Sequence, residues 1–553
     1  MSGPTALDRV TWQSTLFAER LNRFAILKLR AAPFDDAPVL LVLRNHAFEP
    51  VASALPAFLR FADAPLRLHL GDYDDSLVIP AQTSAAHLVW LDFTRYPKLS
   101  DTELEQWLLD RLDTLRAGSS GPIIVANAPA SDERAVRVNK ALAAWAQTTP
   151  GASVAPLDAL AEREGPGFFD EARATATGTR LSDTGALACA RLLGFEILAG
   201  LFAPPIKAIA LDLDNTLYEG VLGEDGVAGV RLTQGHLALQ RQLAHWADKG
   251  VLLSVVSRNI REDVEQLFAD RGDFPLTSAH ISGWQVGWDG KDESLKAAAK
   301  AYNIAADSML FIDDNLGELI DVSIAEPGVR LLYAGGEPLE TARALSLYPA
   351  LPRGAVAFAG RAADIAANAA RRDLAVAATD PASYLASLGA VLTFTLSPIE
   401  DRARLVELSG KTNQFNLSLA RLPDVAVHDA LTAADQCVVH VRLADRLADS
   451  GSVAALFFRR KDDYLVVEEL VISCRALGRR LEDLMVTEAL RRAMIELPAR
   501  KVVFRYLAAP RNAPAREWLT AFTGQALSDT QGEIEAPLPL KPPSRDVAVV
   551  WTN

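Results

Sequence analysis

The chain has 553 residues, half of them hydrophobic and 23% charged, a globular composition sufficient for roughly three to four domains of ~100–200 residues, which excludes wholesale disorder, collagen and coiled coil. Lys and Arg number 56 against 70 Asp and Glu, a formal net charge of −14; binding through counterion release would need a local basic patch working against that field, so no nucleic-acid partner is expected. Cys189, Cys437 and Cys474 have no CxxC spacing, no apolar run approaches the ~18–20 residues of a bilayer span, and the first residues carry no basic-then-apolar leader, so the expectation is a cytoplasmic protein with no membrane partner.

In chain order, the short apolar runs Pro38–Leu43, Leu66–Leu70, His87–Leu91 and Pro122–Val125 alternate with helical stretches such as Thr102–Ala117, the pattern of a parallel α/β sheet. The pair Pro204–Pro205 marks a boundary before the strand run Lys207–Leu213, giving a first domain over 1–204. The βα alternation then repeats: a helix around Leu237–Lys249 stopped by Gly250, a strand Val251–Val256, a helix carrying Leu295, Ala298, Ala299 and Tyr302 on one face, and a strand Met309–Ile312. This is a second domain over 205–340. Residues 341–385 are alanine-rich and read as a helical linker. Strands return at Ala390–Thr395, Val438–Val441, Val453–Arg459 and Tyr464–Val471, with a helix after Leu481, so 386–553 reads as a third, α+β domain.

Chemistry concentrates in the second domain. Asp212 and Asp214 follow the first strand in Leu-Asp-Leu-Asp-Asn-Thr216, and ligands of open α/β sheets bind at the carboxyl ends of strands. One carboxylate there can attack phosphorus while the other moves a proton. The next strand ends in Ser257-Arg258-Asn259, offering a hydroxyl to a phosphoryl oxygen; Lys291 opens a helix, where its ammonium can offset phosphoryl charge; and Asp313-Asp314 end the strand after it, hard oxygen ligands suited to Mg²⁺. Thr216 and Asn259 join the substrate-binding candidates, against the plain reading that they cap backbone.

This order, DxDxT then Ser then Lys then DD, resembles the haloacid dehalogenase (HAD) superfamily of phosphotransferases. The resemblance implies Asp212 as a nucleophile that becomes an aspartyl phosphate, Asp214 as general acid/base and a metal ligand through its carbonyl, Ser257 and Lys291 as phosphoryl binders, and Asp314 with Asp313 as further metal groups. With Asp212–Gly226 (DLDNTLYEGVLGEDG), Phe311–Asn315 (FIDDN), Lys411–Leu417 (KTNQFNL) and Ser473–Arg479 (SCRALGR), the chain is more narrowly similar to the FkbH-like family over about residues 205–520. That family takes a glyceryl unit from 1,3-bisphosphoglycerate, removes phosphate and loads the unit on the phosphopantetheine arm of an acyl carrier protein. The resemblance therefore implies Mg²⁺, a phosphorylated three-carbon acyl donor and a carrier-protein partner; the alternative is a plain phosphatase acting on another phosphorylated molecule.

Only about twenty residues separate the first motif from the helix at Leu237, too few for a cap domain of ordinary size, so the site is expected to be open or roofed by another domain, against the plain reading that a short flap around Tyr218–Asp225 closes over a small molecule. In the third domain, Arg475 to Arg480 (RALGRR) resembles the pyrophosphate loop of GNAT acyltransferases, in which backbone N–H groups at a helix N-terminus hold phosphate. Arg475 and Gly478 are the candidate binders, and Arg480 departs from the pattern by standing where Gly or Ala is usual. Cys474, just before the loop, is the candidate to carry a glyceryl thioester, against the plain reading that a strand-end cysteine is packing. Lys411, Asn413, Gln414 and Asn416 offer a cation and amides to substrate or carrier, or simply order their loop. The first domain resembles the SGNH-hydrolase-like domain of longer family members. Its Leu43–Pro50 run offers His46 but no serine, and Ser182-Asp183-Thr184-Gly185 has no histidine nearby, so a Ser–His hydrolase is not expected. The fold expected overall is three α/β domains: SGNH-like, HAD Rossmann-like with a minimal cap, and GNAT-like.

Overall fold

The computed structural model describes residues 4–552 apart from 74–75, 78–83, 131, 173, 353–363, 366, 368–369, 372–373, 375–380, 478, 537 and 539–546. The chain forms two compact units, Met1–Lys300 with Ile304–Ala355, and Ala301–Asn303 with Val356–Asn553. It is a multi-domain α/β protein with two parallel sheets and a third, mixed one.

The first unit holds both parallel sheets. In the first, β1 (Val39–Arg44), β2 (Arg67–Tyr73), β3 (Ala86–Trp90), β4 (Ile123–Ala126) and β5 (Ala152–Ala155) lie in the order β2-β1-β3-β4-β5. The inner strands β1, β3 and β4 are buried along their whole length, as strands covered by helices on both faces must be, which is why they read as continuous apolar runs. In the second, β6 (Ala208–Leu211), β7 (Leu252–Ser257), β8 (Ile281–Val286), β9 (Met309–Asp313) and β10 (Arg330–Tyr333) lie in the order β10-β9-β6-β7-β8. The chain leaves β6 toward β7 and later returns on the other side as β9, so the loops after β6 and β9 diverge and open a crevice at the carboxyl edge.

Local signals build these elements. Helix Gln234–Asp248 begins at a capping box of Thr233 and His236, buries Leu239, Leu243 and Trp246, and ends before Gly250, whose φ of 81° a side chain would resist. One apolar cluster runs from Leu40 of β1 and Phe58 of helix Leu55–Ala62 to Ile209 and Leu253 of the second sheet and to Tyr348, which follows helix Pro338–Leu347. Helix Ala6–Leu16 adds a polar tie to that continuity: Gln13 donates to Leu331 O at 2.9 Å and accepts from Tyr333 N at 3.0 Å, standing in for a neighbouring strand along β10. The continuous helix Asp183–Phe202 departs from the sequence expectation. It is long and apolar enough, with mean hydropathy 1.6, to pass for a membrane span, and 72% of its apolar window is buried inside the protein. Arg191 and Glu196 interrupt the run in sequence, but the buried Arg191 donates to Ala18 O, and Gly194 lets helix Leu55–Ala62 approach so closely that a Cβ would stand 2.5 Å from that of Phe58.

The second unit is a seven-stranded sheet of β11 (Val391–Leu396), β12 (Gln436–Ala444), β13 (Asp449–Lys461), β14 (Tyr464–Ile472), β15 (Lys501–Leu507), β16 (Gln531–Glu535) and β17 (Ala548–Thr552), in the order β16-β15-β14-β13-β12-β11-β17. β14 pairs with β15 and β11 with β17 in parallel, and the other pairs are antiparallel. Helix Glu482–Glu496 packs Met485, Val486, Ala489 and Leu490 into the apolar cluster on one face.

Candidate active site

The carboxyl edge of the second sheet gathers most of the polar residues singled out in sequence. Asp212 and Asp214 leave β6, Ser257 ends β7, Lys291 opens helix Lys291–Tyr302, and Asp313 and Asp314 end β9. A cavity of about 500 Å³ is lined by these residues together with Arg258 and Glu318. Carboxylate oxygens of Asp212, Asp313 and Asp314 lie within 4.8 Å of one another. Lys291 Nζ reaches into this group, 2.8 Å from Asp212 Oδ1 and 2.5 Å from Asp313 Oδ2, with all three side chains buried.

Burial pushes the Asp212 carboxyl up, to about 7, and Asp313 adds to the shift while Lys291 opposes it. Burial likewise raises Asp314, again with Asp313 beside it. Burial alone would lower Lys291, but the carboxylates of Asp212 and Asp313 outweigh it and hold the ammonium. Three crowded hard oxygens against one ammonium leave an excess of negative charge, the donor set and the electrostatics that a small oxygen-liganded divalent cation fits.

Asp214 is oriented differently. Its Oδ1 accepts from Tyr218 Oη at 2.7 Å and Leu222 N at 3.0 Å, and its Oδ2 from Asn259 Nδ2 at 3.0 Å, so its carboxylate stands outside the three-carboxylate group while still lining the cavity. Tyr218, whose phenol is raised by burial and by Asp214, was not legible as a site residue. Its signal is its place in the strand-end loop, where Asn215 at φ 53° and Gly220 turn the chain back. Asn259 also donates to Ser257 Oγ at 3.1 Å, so it bridges the first and second strand ends. The segment after Asp214 forms a helix over Leu222–Gly229 with a break at Gly226, which overlaps the stretch Tyr218–Asp225 weighed as a short flap.

Thr216 is buried and its Oγ1 accepts the Asp314 amide at 3.1 Å; neither Thr216 nor Asn259 is among the residues that line the cavity, and the bonds each makes here position its neighbours. Arg258 lies at the mouth, paired with Glu318 at 2.9 Å.

The candidates of the second unit form a separate neighbourhood. Asn416 is fully buried and donates to Glu469 Oε1 at 3.0 Å while accepting from Leu419 N; Glu469 also accepts from Ser409 Oγ at 2.7 Å, and burial raises its carboxyl. Asn413 accepts from Arg421 at 2.7 Å and Lys411 pairs with Glu407 at 3.2 Å, while Gln414 is half-buried. The amide of Asn416 therefore orders the loop, one of the two readings its sequence leaves open. Cys474 is half-buried in the turn after β14. The helix that follows starts at Glu482, as expected after Leu481, and Cys474 and Arg475 lie in the turn before it. Arg475 Nε is buried with no hydrogen-bond partner, and Arg480 holds φ at 57°, a conformation glycine would adopt freely. Gly478 lies outside the described residues. Arg479 is committed to buried pairs with Asp364 at 2.9 Å and Asp445 at 3.0 Å. Cys189 and Cys437 are buried, and burial pushes both thiols up, Cys437 to about 12.

No family model and no curated protein matches the chain. Among solved structures it is similar to the N-terminal part of the protein BF1531 from Bacteroides fragilis, which contains a phosphatase domain and was crystallised with Mg: 18% identity over 63% of this chain and 99% of that one, TM-score 0.48. It is also similar to a putative HAD family hydrolase from Streptomyces avermitilis, with 18% identity over 26% and 94% and a TM-score of 0.19, and to an uncharacterized protein from Corynebacterium glutamicum, with 15% identity over 23% and 84% and a TM-score of 0.17. At these values the likenesses carry no conclusion about chemistry, which is read from the chain's own residues.

Proposed function

We propose that the chain is a Mg²⁺-dependent phosphohydrolase or phosphotransferase of HAD type. The observation that carries this reading is the convergence of Asp212, Asp313 and Asp314 within 4.8 Å, beside Lys291, at the carboxyl edge of the second sheet. Asp212, Asp313 and Asp314, with the carbonyl of Asp214, would hold the ion, which when bound supplies Lewis-acid polarisation of phosphoryl oxygens.

The chain's own groups account for the remaining chemistry. An oxygen of Asp212 attacks phosphorus, and the bond to the leaving oxygen breaks as Asp214 delivers a proton to it. Water then attacks the aspartyl phosphate, returning its proton to Asp214 and freeing phosphate and the Asp212 carboxylate. Lys291 and Ser257 hold the phosphoryl oxygens, and Asn259 with Tyr218 aims Asp214.

The finer reading is that the phosphorylated substrate is a three-carbon acyl donor such as 1,3-bisphosphoglycerate and that the glyceryl unit passes to the phosphopantetheine thiol of an acyl carrier protein. It draws on the four sequence segments that resemble the FkbH-like family and on the basic loop Arg475–Arg480 between a strand and a helix, as in a GNAT-like domain. An acyl phosphate is already an activated electrophile, so thiol attack, by Cys474 or by the carrier itself, expels phosphate without ATP.

Intact-protein mass spectrometry after incubation with Mg²⁺, 1,3-bisphosphoglycerate generated in situ and phosphopantetheinylated carrier proteins tests both levels. A dephosphorylated glyceryl adduct on a carrier, lost in Asp212→Asn, supports the whole reading, and its loss in Cys474→Ala assigns the thiol. Phosphate release without any adduct keeps the phosphohydrolase and discards carrier loading. No phosphate release from this donor or from p-nitrophenyl phosphate overturns the proposal.

A further inference from the structure

The phosphoryl cavity is larger than its inner group needs. At about 500 Å³ it holds far more than a single phosphoryl group, with a water-sized group taking ~30 Å³. Five carboxylates line it, those of Asp212, Asp214, Asp313, Asp314 and Glu318, against two cations, Lys291 and Arg258. Lys291 pairs with Asp212 and Asp313, so it serves the scissile phosphoryl group. Arg258 is the one cation of the lining that stands apart from the three-carboxylate group.

Arg258 follows Ser257 at the end of β7, and Glu318 is the third residue of helix Leu316–Ala325, which follows β9. Because β6 lies between β7 and β9 in the sheet, the pair spans the carboxyl end of the strand that leads into Asp212. Arg258 Nη1 stands 2.9 Å from Glu318 Oε1, with 47% of the arginine side chain exposed and 12% of the glutamate. Among the described residues Glu318 is the one partner of this guanidinium, and one nitrogen meeting one oxygen leaves most of its N–H donors unused.

Such a pair opens easily. An ion pair with a half-exposed partner is weak, whereas two parallel N–H···O bonds from a guanidinium to a phosphate or carboxylate are strong and directional. The carboxylate released by such an exchange is not left without compensation, since Glu318 lies in the first turn of its helix, where the unsatisfied backbone N–H groups favour negative charge. A neutral tail on the substrate offers the guanidinium no such exchange and leaves Glu318 in place. Leu316, 46% exposed, lines the same cavity and gives the carbon chain between two anionic ends an apolar surface.

We propose, resting on the phosphoryl-site reading of this cavity, that Arg258 and Glu318 are a specificity-determining pair: Glu318 covers the guanidinium in the free protein, and a second anionic group on the substrate, a carboxylate or phosphate set apart from the scissile phosphoryl group, takes its place. Discrimination comes from the exchange itself. A phosphate with a neutral tail finds Arg258 occupied and gains no bond at the mouth, while an anionic tail gains the fork and sends Glu318 toward solvent.

Phosphonates, whose P–C bond is not hydrolysed, read this pair apart from turnover. Butylphosphonate, 4-phosphonobutanoate and 1,4-butanebisphosphonate share one end and differ in a neutral, carboxylate or phosphonate tail. Isothermal titration calorimetry of the full chain with Mg²⁺ at about 0.15 M salt is expected to show roughly tenfold or more tighter binding of an anionic-tailed probe than of butylphosphonate, and the tighter of the two anionic probes identifies the source of the second anion. In Arg258→Gln the three affinities are expected to converge, in Arg258→Lys part of the difference returns, and in Glu318→Gln it widens severalfold. Equal or absent binding of the three probes, a preference that survives Arg258→Gln, or one left unchanged by Glu318→Gln each overturns the proposal. A tail preference without phosphate release from any donor keeps the exchange at Arg258 and discards the phosphohydrolase; phosphate release from p-nitrophenyl phosphate without a tail preference does the reverse.

Discussion

Thr216 Oγ1 accepts the backbone amide of Asp314 at 3.1 Å, joining the loop after β6 to the loop after β9 across 98 positions of sequence. The bond fixes where the Asp314 carboxylate stands relative to Asp212, although Thr216 itself does not line the cavity. Thr216→Val keeps the shape and removes the acceptor, leaving a buried N–H whose desolvation costs about 1–3 kcal/mol. Supporting groups of metal ligands typically account for about 10–100-fold in affinity, so the Mg²⁺ concentration that half-activates phosphate release is expected to rise in that range, with Thr216→Ser restoring it. An unchanged Mg²⁺ dependence in Thr216→Val would show that Asp314 is placed by other contacts.

Lys291 is the counter-charge of two buried carboxylates, and removing it differs in kind from removing either partner. Lys291→Met leaves Asp212 and Asp313 facing each other in a buried setting, a loss expected to destabilise the protein by about 3–5 kcal/mol. Mg²⁺ offsets the same repulsion, so urea denaturation with EDTA and with excess Mg²⁺ is expected to show a larger metal-dependent gain for Lys291→Met than for the unmodified chain. Asp212→Asn removes the attacking oxygen and is expected to lower phosphate release by about a thousandfold or more while the fold persists. Equal metal-dependent gains in the unmodified chain and Lys291→Met would separate the lysine from the metal site.

Much of this site was legible because each element of the second sheet announces itself locally. β6, β7 and β9 are apolar runs that end in polar residues, and in a parallel sheet such ends share one edge, so the residue pattern alone groups Asp212, Ser257 and Asp313. What was not legible depends on partners distant in sequence or on the local path of a loop. Ile281–Val286 forms β8, yet Gly283 and Gln285 break its apolar run. β17 pairs with β11 from the far end of the chain. Thr216 and Asn259 read as possible substrate contacts because a hydroxyl or amide near a strand end does not disclose whether it faces the cavity or the next loop.

The raised carboxyl of Asp212 sets a pH dependence with a definite sign. Its value in the folded chain, about 7, lies above the ordinary 3.8, so between these limits the folded state holds a proton that the unfolded state has released. Metal-free protein therefore gains stability from this group as pH falls from about 8 toward 5, and carries the full cost of the buried charge above 7. His46 and His87 act in the opposite direction, since burial lowers both to about 4 and the unfolded chain takes up their protons first as pH drops below 6.5. The Asp212 contribution is isolated by the difference between the unmodified chain and Asp212→Asn. In EDTA the unmodified chain is expected to gain melting temperature relative to the variant on going from pH 8 to pH 5, and the Mg²⁺-dependent shift of the unmodified chain is expected to shrink over the same interval as protons displace the metal. A difference that stays flat with pH would place the Asp212 carboxyl near its ordinary range.

Gln13 provides a test of how the N-terminal helix supports the catalytic sheet. Its amide donates to Leu331 O and accepts from Tyr333 N, satisfying two groups of β10, the strand at one edge of the second sheet. An uncovered strand edge is open to water and to pairing with other chains, and the neighbouring strand β9 carries Asp313. Gln13→Met keeps the length and apolar stem of the side chain but removes both hydrogen bonds; Leu331 O keeps its bond from Tyr348 Oη at 3.1 Å, so Tyr333 N is the group left unsatisfied, at an expected cost of about 1–3 kcal/mol. Hydrogen exchange should respond locally, with faster exchange of the Tyr333 amide and of helix Ala6–Leu16, while the amides of the second unit's sheet keep their rates. Gln13→Glu is the informative companion: it retains the acceptor for Tyr333 N but, when ionised, sets a carboxylate against Leu331 O, so it should protect Tyr333 better than Gln13→Met while costing more overall stability. If Tyr333 exchanges equally in the unmodified chain and in both variants, the helix packs through its apolar residues alone and Gln13 does not secure β10.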